Sequence, residues 1–497
     1  MSTLSIVLLV ILVVLIIACV VLYFLGKKAE KKQAEQQEQL DAVAQTVSML
    51  MSIMMSLFVP KLLNVTNFGY WQLFIFYYGY VGFFHFGLND GVYLKYGGVE
   101  YNKLDKDLIG SQFKMGAFFQ SIFALLIMLF AFFFIKDNNR QFVLYATAIV
   151  LVINNVALYL GYVFQACNET KLFSISVIID KLIFLITLLF FLVVRVDDFR
   201  VYVCLYLFSK TVSLLYCMYK GKEIVFSKCL PFLKTLFEMT GNIKIGINLM
   251  LANIASTLII GSARFIIDGK WGIEMFGQFS LSISMINFVL LFLGQVSMVL
   301  FPMLRQVDEK NQSKFYLGIR DALSLFLPLA FVAYIPLRFA LGLWLPQYDD
   351  SLVFLGILLP ICTFNGKMNL LCITYLKVFR KEKSLLYINL VSMVVSCIFA
   401  WIGAYVFNSI LAVAVLLVLS IALRSFVSEV YVANIMKFNI TKDIILETLM
   451  VCVFMSASYF LKNHLWYAFG VTLLAYALFV VLNHKKLNVL RMVLKRK

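Results

Sequence analysis

A succession of apolar runs constrains this chain most. Each is near the roughly 20 residues that a helix needs to cross a hydrocarbon core, and short polar breaks separate them. The breaks delimit fifteen candidate spans: 4–25, 42–63, 70–94, 115–135, 142–164, 172–194, 201–219, 243–263, 273–302, 319–343, 351–376, 384–407, 409–435, 443–461 and 465–482. Only 14% of the residues are charged, against about a quarter in soluble domains. No stretch remains for a large soluble domain. A multidomain soluble enzyme is thereby excluded, leaving a transporter, a channel or an intramembrane enzyme.

The formal charge of +17, from 43 Lys and Arg against 26 Asp and Glu, reads first as topology. With the linker 26–41 on the cytoplasmic side, that side's connections hold 29 basic residues and the opposite set holds 7. Positive charge accumulates in cytoplasmic connections, so the asymmetry supports both span number and orientation. It predicts a multi-pass protein of the cytoplasmic membrane with no nucleic-acid partner. The nine cysteines and the scattered His85, His464 and His484 form no metal-ligand spacing. No metal, cofactor or disulfide is expected.

Ser5 to Leu25 has no basic residue ahead of it and Lys27, Lys28, Lys31 and Lys32 behind it. That order fits an uncleaved anchor with an outside N-terminus better than a cleaved signal peptide. The polar helix formers that follow read as a spacer. Residues 1–41 are expected to be an addition to a core beginning near Asp41.

Within that core, Phe68–Leu73 (FGYWQL) and Phe276–Leu281 (FGQFSL) lie 208 residues apart. Each follows a short outer loop, enters a long apolar helix and leads to a basic cytoplasmic connection. The spacing predicts an all-α membrane protein of two pseudo-symmetric six-helix bundles plus a C-terminal helix pair: fourteen core spans and one extra N-terminal span. The expected boundaries are an anchor and linker over 1–41, a first bundle over 42–219, an amphipathic connector over 220–242, a second bundle over 243–435, and the helix pair and basic tail over 436–497. Pro60, Pro328, Pro336 and Pro360 mark places where spans are expected to bend.

An ionisable side chain in hydrocarbon usually faces a cavity or a partner. Asp90, Asp180, Lys181, Lys210, Arg264, Asp268, Arg338, Lys367, Arg424 and Glu429 are the candidates, with cations outnumbering anions. That excess favours an anionic substrate group such as a diphosphate. Lys181 and Lys210 fall mid-span, with a structural interhelix pair as the competing reading of each. Lys367 lies in FNGKMN, where Asn365 and Asn369 predict a hydrated, cavity-facing patch. Arg264 and Asp268 have the i, i+4 spacing of a structural pair. Arg338 is expected to snorkel to the outer interface, and Arg424 and Glu429 to serve an interfacial role near the cytoplasmic end of their span. Asn154, Asn155, Asn248, Asn253 and Asn287 suit helix-to-helix hydrogen bonds or sugar hydroxyls.

The stretch Leu88–Asp107 (LNDGVYLKYGGVEYNKLDKD), after Asn67–Phe83, resembles the bacterial polysaccharide repeat-unit flippases. These form the Wzx-type branch of the multidrug/oligosaccharidyl-lipid/polysaccharide exporter superfamily. Gly87, Leu88, Asn89, Asp90, Gly91, Tyr96, Gly97 and Gly98 carry the resemblance, while residues 1–41 depart from the family pattern. It implies a two-lobed bundle around a central cavity and alternating access. Its implied cargo is an undecaprenyl-diphosphate-linked oligosaccharide, with a polysaccharide polymerase as candidate partner and a proton or sodium ion as candidate coupling ion. On that reading the chain is no enzyme. Lys181, Lys210, Arg264 and Lys367 would contact the anion, with Asn365 and Asn369 beside them. Asp90 would cap the GLNDG turn in preference to coupling ions, and Asp180 and Asp268 are coupling or structural candidates. A multidrug antiporter of the same superfamily is the alternative and should need an acidic cavity. A glycosyltransferase or polymerase would need a large outer loop, which is missing. A scaffold or lipid scramblase is the third alternative.

Overall fold

A computed structural model describes residues 33–306 and 309–484. The anchor read from the sequence therefore lies outside the described residues up to position 32. The described residues are helical apart from short turns, bends and irregular connections, with no strand among them.

The sequence's polar breaks supply the helix caps. Asn64, Asp105, Asp137, Asp198 and Ser409 each accept a backbone N–H of the first turn that follows, satisfying donors that a helix start leaves open. In chain order, α1 is Gln33–Ile53, extended through a π turn to Leu62. It precedes α2 (Val65–Val81), α3 (Leu88–Tyr96), α4 (Lys106–Phe134), α5 (Asn138–Ala166), α6 (Thr170–Val194), α7 (Phe199–Lys220) and α8 (Phe232–Gln306). Then come α9 (Glu309–Phe326), α10 (Leu329–Trp344), α11 (Asp349–Leu358), α12 (Pro360–Lys367), α13 (Glu382–Trp401), α14 (Ile410–Met436), α15 (Thr441–Phe460) and α16 (Leu465–Leu482).

Eleven described helices are long and apolar enough to cross a membrane, or twelve when the pair bent by 45° at Pro360 is one span. Helix α8 counts once among these, yet its 75 residues would run about 110 Å as one rod. Gly272 breaks it at φ 81°, ψ −175°, a conformation open to glycine. The count of eleven to twelve is below the fourteen expected, in part because α8 holds two arms within one helix. Pro328 ends one helix before α10, whereas Pro336 is carried inside α10.

The chain divides into two compact units between Ile254 and Ala255. In the first, α4 packs on α5, α6 on α7, α5 on α7, α2 on α5 and α1 on α6. Its core joins Val92, Ile109, Tyr159, Leu160, Phe164 and Ile224. In the second, α13 packs on α14, α10 and α15 on α16, and α12 on α14, around Tyr316, Met368, Tyr375 and Val432. The stretch 220–242, expected as one amphipathic connector, holds a helical turn at Lys222–Val225, then a loop, and from Phe232 the start of α8.

The GLNDG motif has a packing role. Gly87 precedes α3 at φ 85°. A Cβ on Gly91 would stand 1.9 Å from the Asn242 carbonyl oxygen, and one on Gly246 would stand 2.1 Å from that of Gly87. Helix α3 and the first arm of α8 thus cross backbone to backbone. The expected capping role of Asp90 is corrected: the N-cap position is Gly87, which has no side chain to donate or accept, and Asp90 sits in the first turn. There its carboxylate complements the helix dipole, with Oδ2 3.9 Å from His85 Nε2.

Candidate functional site

In the first unit, α6 and α7 bring three mid-span charges together. Asp180 and Lys181 are successive residues of α6, so their side chains leave the helix in different directions. Asp180 is buried and accepts from Lys210 Nζ at 2.8 Å and from Ser209 Oγ at 3.1 Å. The Lys210 ammonium also lies 5.2 Å from the Tyr78 ring centre and 5.5 Å from that of Tyr206, a cation–π arrangement. Tyr78 Oη donates to Asn154 Oδ1 at 2.9 Å. Further rings complete the wall: Tyr206 meets Trp71, Phe74 and Phe184 edge-on.

Lys181 has no hydrogen bond or ion pair among the described residues, although it interacts electrostatically with Lys210, Asp180 and Tyr78. Two lysines therefore share one aspartate. The group carries a net positive charge midway along a 25-residue span, and Lys181 is its uncommitted member.

The break between α2 and α3 forms a second polar locus in the same unit. Ending α2 at Val81 frees carbonyl groups that must be satisfied inside the membrane. Asn155 Nδ2 donates to Val81 O and Gln120 Nε2 to Phe84 O, both at 2.8 Å, and Asn155 Nδ2 also reaches Gln120 Oε1. A cavity of about 20 Å³ opens beside His85, Asn89, Gln120 and Asn155, room for about one water.

The second unit places Lys367 differently from the hydrated patch expected of it. Lys367 is fully buried; its Nζ donates to Glu429 Oε1 at 2.6 Å and also pairs with Glu447. Arg320 Nε donates to Glu429 Oε2 at 3.0 Å and Nη1 to Asp443 Oδ2 at 2.9 Å. Two cations and two carboxylates thus form a neutral buried quartet, with Asp443 at its more exposed edge. Lys367 is saturated by protein carboxylates, because α12, α14, α15 and α9 converge there. Asn369 is exposed, and Asn365 turns a buried, unpartnered Oδ1 inward.

Arg264 Nε donates to Ser280 Oγ at 3.0 Å, and its guanidinium lies 5.0 Å from the Phe276 ring centre. The Gly272 break brings these residues of the two α8 arms alongside one another. Asp268 is half-buried one turn on from Arg264. Arg338 is buried rather than snorkelling. Arg424 is the fifteenth of the 27 residues of α14, mid-helix rather than near its end as expected, and Glu429, further along the same helix, is fully buried.

Solved MOP-superfamily transporters share this fold. The structure described as "Lipid II flippase MurJ, inward closed conformation" aligns with a TM-score of 0.66 at 12% identity, covering 90% of this chain and 99% of that one. An inward-facing multidrug resistance MATE family transporter of the MOP superfamily aligns with a TM-score of 0.58 at 13% identity, covering 78% of this chain and 93% of that one. No family model matches the sequence, and no curated protein is matched. At such identities the likeness concerns the fold alone.

Two members of the quartet escaped sequence reasoning. Arg320 falls in a stretch counted as cytoplasmic loop, and Glu447 near the start of a span. The signal was present in α9: Tyr316, Arg320 and Ser324 recur every four residues on one face, and all three are fully buried.

Proposed function

We propose that the protein is a flippase that carries an undecaprenyl-diphosphate-linked oligosaccharide across the cytoplasmic membrane by alternating access, with Lys181 and Lys210 attracting the diphosphate. The observation that carries this reading is the uncommitted Lys181 ammonium mid-span, beside a lysine already joined to the only aspartate of its group. An unpaired cation in hydrocarbon is costly. An anionic substrate group supplies the missing charge at the moment of passage, and the surrounding tyrosines offer hydroxyls and ring faces to sugars. Lipid tails would stay in the bilayer. Asp180 fixes Lys210 in place, so its role is positioning.

The aromatic wall of Trp71, Phe74, Tyr78, Phe184 and Tyr206 favours a second reading. Such rings also attract organic cations, as a multidrug antiporter would require. Against it, the charge they already enclose is positive.

Reconstitution in proteoliposomes separates the two. Translocation of a fluorescent undecaprenyl-diphosphate oligosaccharide is expected in the unaltered protein, and a large loss in Lys181→Ala at equal folded protein. Proton or sodium gradients imposed in the same assay identify the coupling ion. Efflux of ethidium with no glycolipid movement would move the protein to the multidrug reading.

A further inference from the structure

Helix α14 carries a buried cation without a counter-charge. Arg424 is 4% exposed, and no carboxylate pairs with it among the described residues. Its contacts are neutral: Nε donates to Asn389 Oδ1 at 3.0 Å on α13, and Nη2 to Ser256 Oγ at 3.1 Å on α8. Nη1 has no hydrogen bond among the described residues. The nearest acid along the helix, Glu429, is committed to Lys367 and Arg320.

Depth makes this arrangement informative. In a 27-residue helix, Arg424 lies about 20 Å from either end at the α-helical rise. A head group resting at the interface does not reach it, and neither does bulk solvent. A guanidinium serving only to join helices would be expected to meet a carboxylate, as Arg320 on α9 does in this same unit. Here two neutral oxygens orient the planar fork and leave one edge of donors unoccupied. Such a fork suits an oxyanion. Ser392, one turn along α13 from Asn389, adds a hydroxyl that has no partner among the described residues and is 9% exposed.

We infer that Arg424, oriented by Asn389 and Ser256, forms an anion-binding site in the second unit, separate from Lys181, that takes a phosphate or a sugar carboxylate borne by the transported molecule. The inference rests on the proposal that the protein moves an anionic substrate, and it adds a site that the lysine pair does not provide.

The test uses the full-length protein in detergent, with thermal unfolding followed as inorganic pyrophosphate or glucuronate is added. Wild type, Lys181→Gln, Arg424→Gln and Arg424→Lys are compared. Removing a charge-assisted contact is expected to weaken binding about tenfold or more. Arg424→Gln should therefore need a higher concentration of the anion that this site takes, with Arg424→Lys restoring part of the response. Whether pyrophosphate or glucuronate shows the change identifies the phosphate or the carboxylate as ligand. Unliganded Arg424→Gln should unfold no earlier than wild type, since an uncompensated charge has gone. If Lys181→Gln weakens the response and Arg424→Gln leaves both titrations unchanged, the second site is wrong and the flippase proposal stands. A response to neither anion in wild type overturns both. An unliganded Arg424→Gln that unfolds well below wild type and binds both anions normally makes Arg424 a structural tie.

Discussion

Lys367 Nζ stands 2.6 Å from a carboxylate oxygen of Glu429, with both side chains fully buried. The lysine with the most polar sequence neighbourhood is thus the one least able to meet a substrate.

Lys367→Ala should destabilise the protein by about 3–5 kcal/mol, because it leaves carboxylates buried beside too little positive charge. Transport should fall in proportion to the folded protein recovered. Thermal unfolding followed by size-exclusion fluorescence measures this, and the double variant Lys367→Met with Glu429→Gln should recover part of the loss. Full stability with abolished transport would return Lys367 to the substrate site.

Much of the fold was legible because burying a backbone in lipid forces long apolar helices, and their length is a one-dimensional property. The all-helical architecture and the bend at Pro360 both follow from that. Which charge meets which is a matter of three dimensions. Asp180 and Lys181 are neighbours in sequence, yet Asp180 pairs with Lys210 on the next helix. Lys367 finds Glu447 from 80 residues away, and no local spacing announces it. The sequence showed that mid-membrane charges exist, and packing decided which of them stay uncommitted.

Lys181 and Lys210 should behave differently when truncated. Lys210→Ala strands the buried Asp180 and should lower thermal stability, whereas Lys181→Ala removes no ion pair and should leave unfolding close to wild type. Pairing Lys210→Ala with Asp180→Asn should restore stability without restoring transport. Equal destabilisation by both single variants would contradict the assignment.

Gly91→Ala and Gly246→Ala should each disrupt the crossing of α3 and α8, since the new methyl would fall within about 2 Å of a carbonyl oxygen. Overpacking of this kind costs about 1–3 kcal/mol or more. Gly79→Ala, with nothing within 4 Å of the added carbon, is the matched control. Expression and unfolding temperature of the three variants provide the measurement.

Acid should weaken the α4–α5 end of the first unit through Asp137. Burial acts to raise its pKa, but the Tyr70 hydroxyl, the Asn139 and Arg140 backbone N–H groups and the Arg140 charge outweigh it and hold the carboxyl below its ordinary value. A depressed folded value means stability that is fully present above the unfolded pKa of about 4 and lost as pH falls through the folded one. Asp137→Asn should flatten the acid limb of a stability profile below about pH 4. An unchanged limb would show that other groups set it.

The neutral quartet also bears on how much of this chain can be dispensed with. One of its two acids, Glu447, belongs to α15, as does Asp443 at its edge; α15 is the first helix of the C-terminal pair that the repeat arithmetic treats as surplus to two six-helix bundles. Deleting that pair would leave Arg320 and Lys367 facing Glu429 alone, an unbalanced positive charge at the heart of the second unit. A chain shortened by that pair would therefore need compensating changes at position 320 or 367 to keep the second unit's core balanced.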